Sequence, residues 1–176
     1  DTEIKIGQTM PYSGPASAYG TVGRLETAYF AMINAQGGVN GRKINLISLD
    51  DSYSPPKAVE QTRRLVEQDE VLAIVGQLGT LTSSAVQKYL NLKKVPQILI
   101  TSGAAKWDDP KNYPYSTFLY SPYRLEGQIF AQYLLSNRPN ARLGVFSQND
   151  DAGRDYVNGL KDGLGDKAKT LIVKEL

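Results

Sequence analysis

Eight consecutive residues, Gly37-Gly38-Val39-Asn40-Gly41-Arg42-Lys43-Ile44, constrain this chain more than any others. They close a segment of helical periodicity and open one of strand character, so a helix must hand over to a strand within a few residues. Two glycines after a periodic segment form a C-cap, because glycine enters the left-handed region without a steric penalty. Asn40-Gly41 supplies a second turn, since both residue types tolerate positive φ. The strand that follows finishes on Asp50-Asp51.

The same alternation runs through the whole chain. Residues 4–9 alternate and read as a strand, which Pro11-Tyr12-Ser13-Gly14-Pro15 breaks. Over residues 20–35, Leu25, Ala28, Tyr29, Met32 and Ile33 fall at helical spacing and define the expected buried stripe. Residues 44–49 form the next strand. Ser54-Pro55 then starts a helix, with serine placed as cap and proline in the first turn. Its inner face is Ala58, Val59, Thr62, Leu65 and Val66. Residues 71–75 are continuously apolar, as in a parallel strand covered on both faces.

A helix over residues 81–92 turns Ala85, Val86, Tyr89 and Leu90 inward, and residues 98–100 make another buried strand. A turn-rich loop covers residues 102–113, and residues 115–120 are extended. Ser121-Pro122 repeats the capping pattern before a helix with Leu125, Ile129, Phe130, Tyr133 and Leu134 inward. A strand at 143–146, a glycine-dotted helix to residue 164 and a strand at 170–173 complete the order. Such alternation predicts an α/β fold, with parallel sheets and helices on both faces. The elements after Ser121 amount to a two-stranded fragment that cannot bury both its faces alone. The expected organisation is a first α/β lobe over residues 1–119 and the incomplete beginning of a second over residues 120–176.

Several function classes are excluded. There is no cysteine and no histidine, which removes thiol nucleophiles, Cys/His zinc sites and a Ser-His-Asp triad. The formal charge is +2 and the basic residues are dispersed, so no nucleic-acid surface is expected. No apolar run approaches the roughly 18 residues that would span a bilayer. Glycines arranged for a nucleotide and a Walker lysine are both missing. The chain therefore reads as a non-enzyme without a cofactor or metal. Its start at Asp1-Thr2-Glu3 suits an exported product whose signal peptide has been removed, and equally a trimmed one.

Ligands of open parallel sheets bind beyond the C-terminal strand ends, where four loops qualify. They are residues 12–20 with Tyr19, then Gly76-Gln77-Leu78-Gly79-Thr80, then Thr101-Ser102-Gly103-Ala104-Ala105, and finally Gln148-Asn149-Asp150-Asp151-Ala152-Gly153. In the second, the glycines admit close approach, and the amides opening the next helix suit a carboxylate. Thr80 or Thr82 equally serves as an ordinary cap of that helix. Tyr19 either stacks on a ligand or covers the start of the first helix. Asp50-Asp51 offers two carboxylates for acid–base or metal chemistry, or simply accepts hydrogen bonds at a strand end. Asn149-Asp150-Asp151 lacks the spacing of a calcium loop.

Five motifs in order resemble the substrate-binding proteins of branched-chain amino-acid-type ABC transporters. These are Pro11-x-Ser13-Gly14 with Gly20, the run from Gly37 to Ile44, Asp50-Asp51, Val75-Gly76, and Gln148-Asn149-Asp150-Asp151-x-Gly153. The resemblance implies a type I periplasmic-binding-protein fold, whose two lobes close on a ligand and deliver it to a membrane permease. It implies a periplasmic monomer that binds a small carboxylate. It places Tyr19 at the cleft wall, Thr80 at the ligand carboxylate, Gly103, Ala104 and Ala105 at the α-substituents, and Ala152 where many members carry an aromatic ring. Ala105 lacks the threonine hydroxyl of amino-acid binders. Tyr53 and Gly79 stand where some members have a disulfide. Ala105 and Ala152 together favour an aromatic acid over an amino acid. A ligand-sensing domain of a receptor or regulator is the alternative on the same fold.

Overall fold

A computed structural model describes residues 2–176, which separate into two compact units. The first takes residues up to Thr101 together with Asp109–Phe118, and the second takes Ser102–Asp108 with Leu119–Leu176. The sequence reading puts residues 102–108 in the first lobe. They group with the second because their backbone is bonded there: the Tyr123 amide donates to the Gly103 carbonyl at 2.9 Å, and the Ala105 amide to Asp155 at 2.7 Å.

In the first unit five parallel strands run in the order β2-β1-β3-β4-β5. They are β1 (Glu3–Met10), β2 (Lys43–Asp50), β3 (Ile74–Val75), β4 (Gln97–Ile100) and β5 (Ser116–Phe118). The helices are α1 (Gly20–Ala35), α2 (Pro55–Glu67) and α3 (Thr80–Lys93). β3 is shorter than the apolar run predicts, although the Leu72 amide still donates to the Lys5 carbonyl and the Gly7 amide to that of Ala73. The turn after α1 forms as expected. Gly38 has φ 74°, and a β-carbon there would overlap the Arg42 carbonyl.

Alternation along β1 assigns its two faces. Gln8 and Met10 meet α1 at Gly23. Gly7 points the other way, to Leu65 of α2, Val71 and Ile74. Leu65, Val71, Ile74, Val86 and Leu90 make the core on that face, with Ile47, Leu49, Val59, Val66, Tyr89 and Val95 packed around them.

Three expectations fail in detail. In α1 the buried residues are Gly20 and Gly23, while Leu25, Tyr29 and Met32 are exposed. The face that meets β1 is made of small residues, because the sheet lies close. Ser54 holds the N-cap position of α2 without a side-chain cap bond, and Pro122 rather than Ser121 precedes the next helix. Ala85 is exposed, whereas Thr82, Ser83 and Gln87 of α3 are buried.

The second unit contains α4 (Tyr123–Asn137), β6 (Leu143–Val145), α5 (Asp151–Leu164), the short α6 (Ala168–Leu171) and β7 (Ile172–Glu175). β6 and β7 pair in parallel. Leu125, Ile129, Phe130 and Tyr133 are exposed, contrary to the predicted inner face of α4. Instead α4 meets α5 through Gly127 and Ala131 on one side and Gly159 and Gly163 on the other. A β-carbon at Gly159 would overlap the Arg124 carbonyl.

Candidate functional site

The loop after β3 leads straight into α3. Gly79 is the N-cap of α3, with φ 102° and ψ 143°, and no side chain caps the helix. Thr82 turns its hydroxyl back to the Leu78 carbonyl at 2.6 Å, so the expected capping role belongs to neither threonine. Thr80 is the first helical residue and only 3% exposed, and Leu78 is buried beside it. The Tyr53 ring lies against Gly79 so closely that a β-carbon there would overlap it. Glycine is thus required twice at this position, by its φ and by the ring.

Two other first-unit features have definite environments. Tyr19 closes a short 3₁₀ turn, Ser17–Tyr19, with its side chain 59% exposed. Asp50 accepts from the Tyr12, Ser13 and Ser52 amides at 2.9–3.0 Å and from the Ser13 hydroxyl at 2.5 Å. Burial opposes its ionisation, but these hydrogen bonds outweigh burial and hold its carboxyl at about 2. Asp51 is fully buried and accepts from the Tyr53 amide at 2.8 Å. Burial pushes its carboxyl up. The pair is a strand-end hydrogen-bond acceptor.

In the second unit the loop from Ser102 to Ala105 is mostly committed to its own packing. Ser102 is buried and accepts from the Trp107 indole N–H at 2.8 Å. Trp107 and Ala104 are buried too. Gly103 is buried where a β-carbon would overlap the Ser121 carbonyl. Ala105 is exposed, with its amide taken by Asp155. Lys106 pairs with Asp151 at 3.2 Å, and Arg154 with the other Asp151 oxygen at 2.5 Å. The Arg154 hydrogen bond, against some burial, and then Lys106 hold the Asp151 carboxyl below the usual range. Asp150 caps α5 by accepting from the Gly153 amide at 3.0 Å. Asn149 is exposed and Ala152 half-buried.

Trp107 and Asp155 were not anticipated as neighbours of the candidate loops. Trp107, the sole tryptophan inside a turn-rich loop, is the one with a signal in the sequence. Among the described residues no group of three or more His, Cys, Asp or Glu is placed to hold a metal ion. No described helix is long and apolar enough to cross a membrane.

The candidate groups of the first, parallel α/β unit lie at C-terminal strand ends, where open parallel sheets bind ligands. The chain belongs to the periplasmic binding protein family, whose model matches residues 3–174. It is 27% identical to the amino acid binding protein of Pseudomonas aeruginosa, over 99% of this chain and 46% of that protein. It is 26% identical to the Leu/Ile/Val-binding protein of Escherichia coli K12, over 92% of this chain and 44% of that one. The chain thus spans about half the length of the relatives it matches.

Solved structures agree on the fold. A "possible leucine/isoleucine/valine-binding protein" from Rhodopirellula baltica superimposes with TM-score 0.80 at 28% identity, over 99% of this chain and 46% of that one. A solute-binding protein of an ABC transporter from Rhodopseudomonas palustris BisB5, in complex with 3,4-dihydroxybenzoic acid, gives 0.81 at 21%, over 100% and 47%. The substrate-binding protein LivJ of Streptococcus pneumoniae, in complex with isoleucine, gives 0.84 at 23%, over 98% and 49%.

Proposed function

We propose that this chain belongs to the extracytoplasmic solute-binding component of an ABC importer, and that it grips a small carboxylate at the N-terminus of α3. The reading is carried by the start of that helix, where Gly79 is the N-cap and no side chain caps the amides beside the buried Thr80. Such amides carry partial positive charge, and a charge-assisted hydrogen bond in a water-poor setting is stronger than one in solvent. The partner is the permease that takes the cargo, and the working compartment is the periplasm.

Within the carboxylates, an aromatic acid is favoured. Ala105 offers no hydroxyl to an α-ammonium, and its amide is engaged by Asp155. Ala152 is small where the resemblance implies an aromatic ring in many members. Asp155 also supports a second reading, because a carboxylate beside this loop can accept from an ammonium as well as from a phenol. A branched-chain amino acid is the ligand on that reading.

Thr80→Ala in the full-length protein tests the carboxylate grip. The expected loss is about 1.5–3 kcal/mol, or roughly tenfold to over a hundredfold in Kd. Calorimetry showing unchanged affinity, with the fold intact, contradicts the assignment.

A further inference from the structure

Beneath the candidate loop, on the α2/α3 face of the sheet, lies a row of buried and partly buried hydrogen bonds that all point the same way. Asn91 Nδ2 donates to Ser116 Oγ at 2.9 Å, and Ser116 Oγ to Gln97 Oε1 at 3.5 Å. Gln97 Nε2 donates to Gln77 Oε1 at 2.8 Å, and Gln77 Nε2 to Thr9 Oγ1 at 2.7 Å. Thr9, Gln77 and Gln97 are wholly buried. The row crosses from β5 through β4 and the loop after β3 to β1, and head-to-tail donors polarise one another in a low dielectric.

Two links leave the row for the site. Gln77 immediately precedes Leu78-Gly79-Thr80, and its carbonyl accepts from the Thr101 amide at 2.9 Å. Gln97 Nε2 also donates to the Ser83 carbonyl in the first turn of α3, at 3.2 Å. Apolar contacts hold α3 further along, at Val86 and Leu90. Apolar packing sets no direction, whereas a carboxamide bonded at both ends does.

We propose that Gln77 and Gln97 are positioning residues that aim the first turn of α3 at its ligand. This rests on the reading of Thr80 above, but its test needs no ligand. In the ligand-free full-length protein, amide exchange is compared between Ser83 and Ser84, at the start of α3, and Tyr89 and Leu90, near its end. Urea unfolding of the same samples gives the exchange increase that global destabilisation alone would cause. For Gln97→Met, Ser83 and Ser84 should exchange at least about tenfold faster than that increase, while Tyr89 and Leu90 follow it. Gln77→Met, which keeps the Gln97–Ser83 bond, should show the same selectivity more weakly and serves if Gln97→Met does not fold. A uniform increase along α3 in either folded variant overturns the proposal. Failure of the carboxylate reading would appear separately, as unchanged affinity in Thr80→Ala.

Discussion

Adjacent Asp50 and Asp51 respond to pH with opposite signs, although their sequence treats them alike. Asp50 titrates at about 2 in the fold against an ordinary 3.8. Its stabilisation is therefore fully present above about pH 4 and is lost as pH falls through 2. Asp51 has a raised folded value, caused first by burial. Its ionised form opposes folding, and that opposition fades as pH falls through the raised value towards 3.8. Asp50→Asn should lose about 1–3 kcal/mol at pH 7, a deficit that narrows below about pH 4 and closes as pH falls through about 2. Asp51→Asn keeps an acceptor for the Tyr53 amide and should be as stable as the parent at pH 7, or more so. Urea titrations across pH check both. Equal losses in the two variants would show that the carboxylates act as one unit.

Residue types alone show that both aspartates end a strand. They do not show how differently the two are held, because that depends on Tyr12 and Ser13 arriving from a distant part of the chain to bond Asp50. Ser102 and Ala105 pose the same difficulty. Their loop is visible in the sequence, but the claims of Trp107 and Asp155 on its polar groups exist only in three dimensions.

Helix α2 was legible because its buried side is its largest apolar stripe: Ala58, Thr62 and Leu65 are all buried as predicted. Helices α1 and α4 were not, because each packs through its smallest residues and exposes its large ones. Counting bulky side chains therefore rotates both helices away from their true faces. Nor does polar character reveal that Gln77 and Gln97 are buried, since their partners come from separate strands and α3. The α4–α5 pair turns this into a test. On an isolated helix Gly159→Ala should stabilise by about 1 kcal/mol. Here the new methyl meets the Arg124 carbonyl, so a net loss of about 1–3 kcal/mol is expected from overpacking. Chemical denaturation followed in the second unit reads the sign directly, and a gain in stability would refute the close crossing.

The alternation of strand and helix carried the α/β architecture into view, along with the parallel sheet and helices on both of its faces. Family membership follows from the match over residues 3–174. Ligand class is a finer matter. Solved structures of the same fold hold an aromatic acid in one protein and isoleucine in another, so side chains decide it. On the reading proposed above, Ala105, Ala152 and Asp155 weigh on that choice. A ligand ring that packs against Ala152 on that reading gains roughly 25 cal/mol per Å² of apolar surface buried. On the same reading an ammonium beside Ala105 finds no hydroxyl there and has Asp155 as its nearest carboxylate candidate. Isothermal calorimetry of the full-length protein against benzoate, cinnamate, leucine, isoleucine and valine weighs these terms directly. Saturable binding of the aromatic acids, with no heat from the three amino acids, is the result predicted. Binding of leucine, isoleucine or valine with no response to either aromatic acid would contradict it.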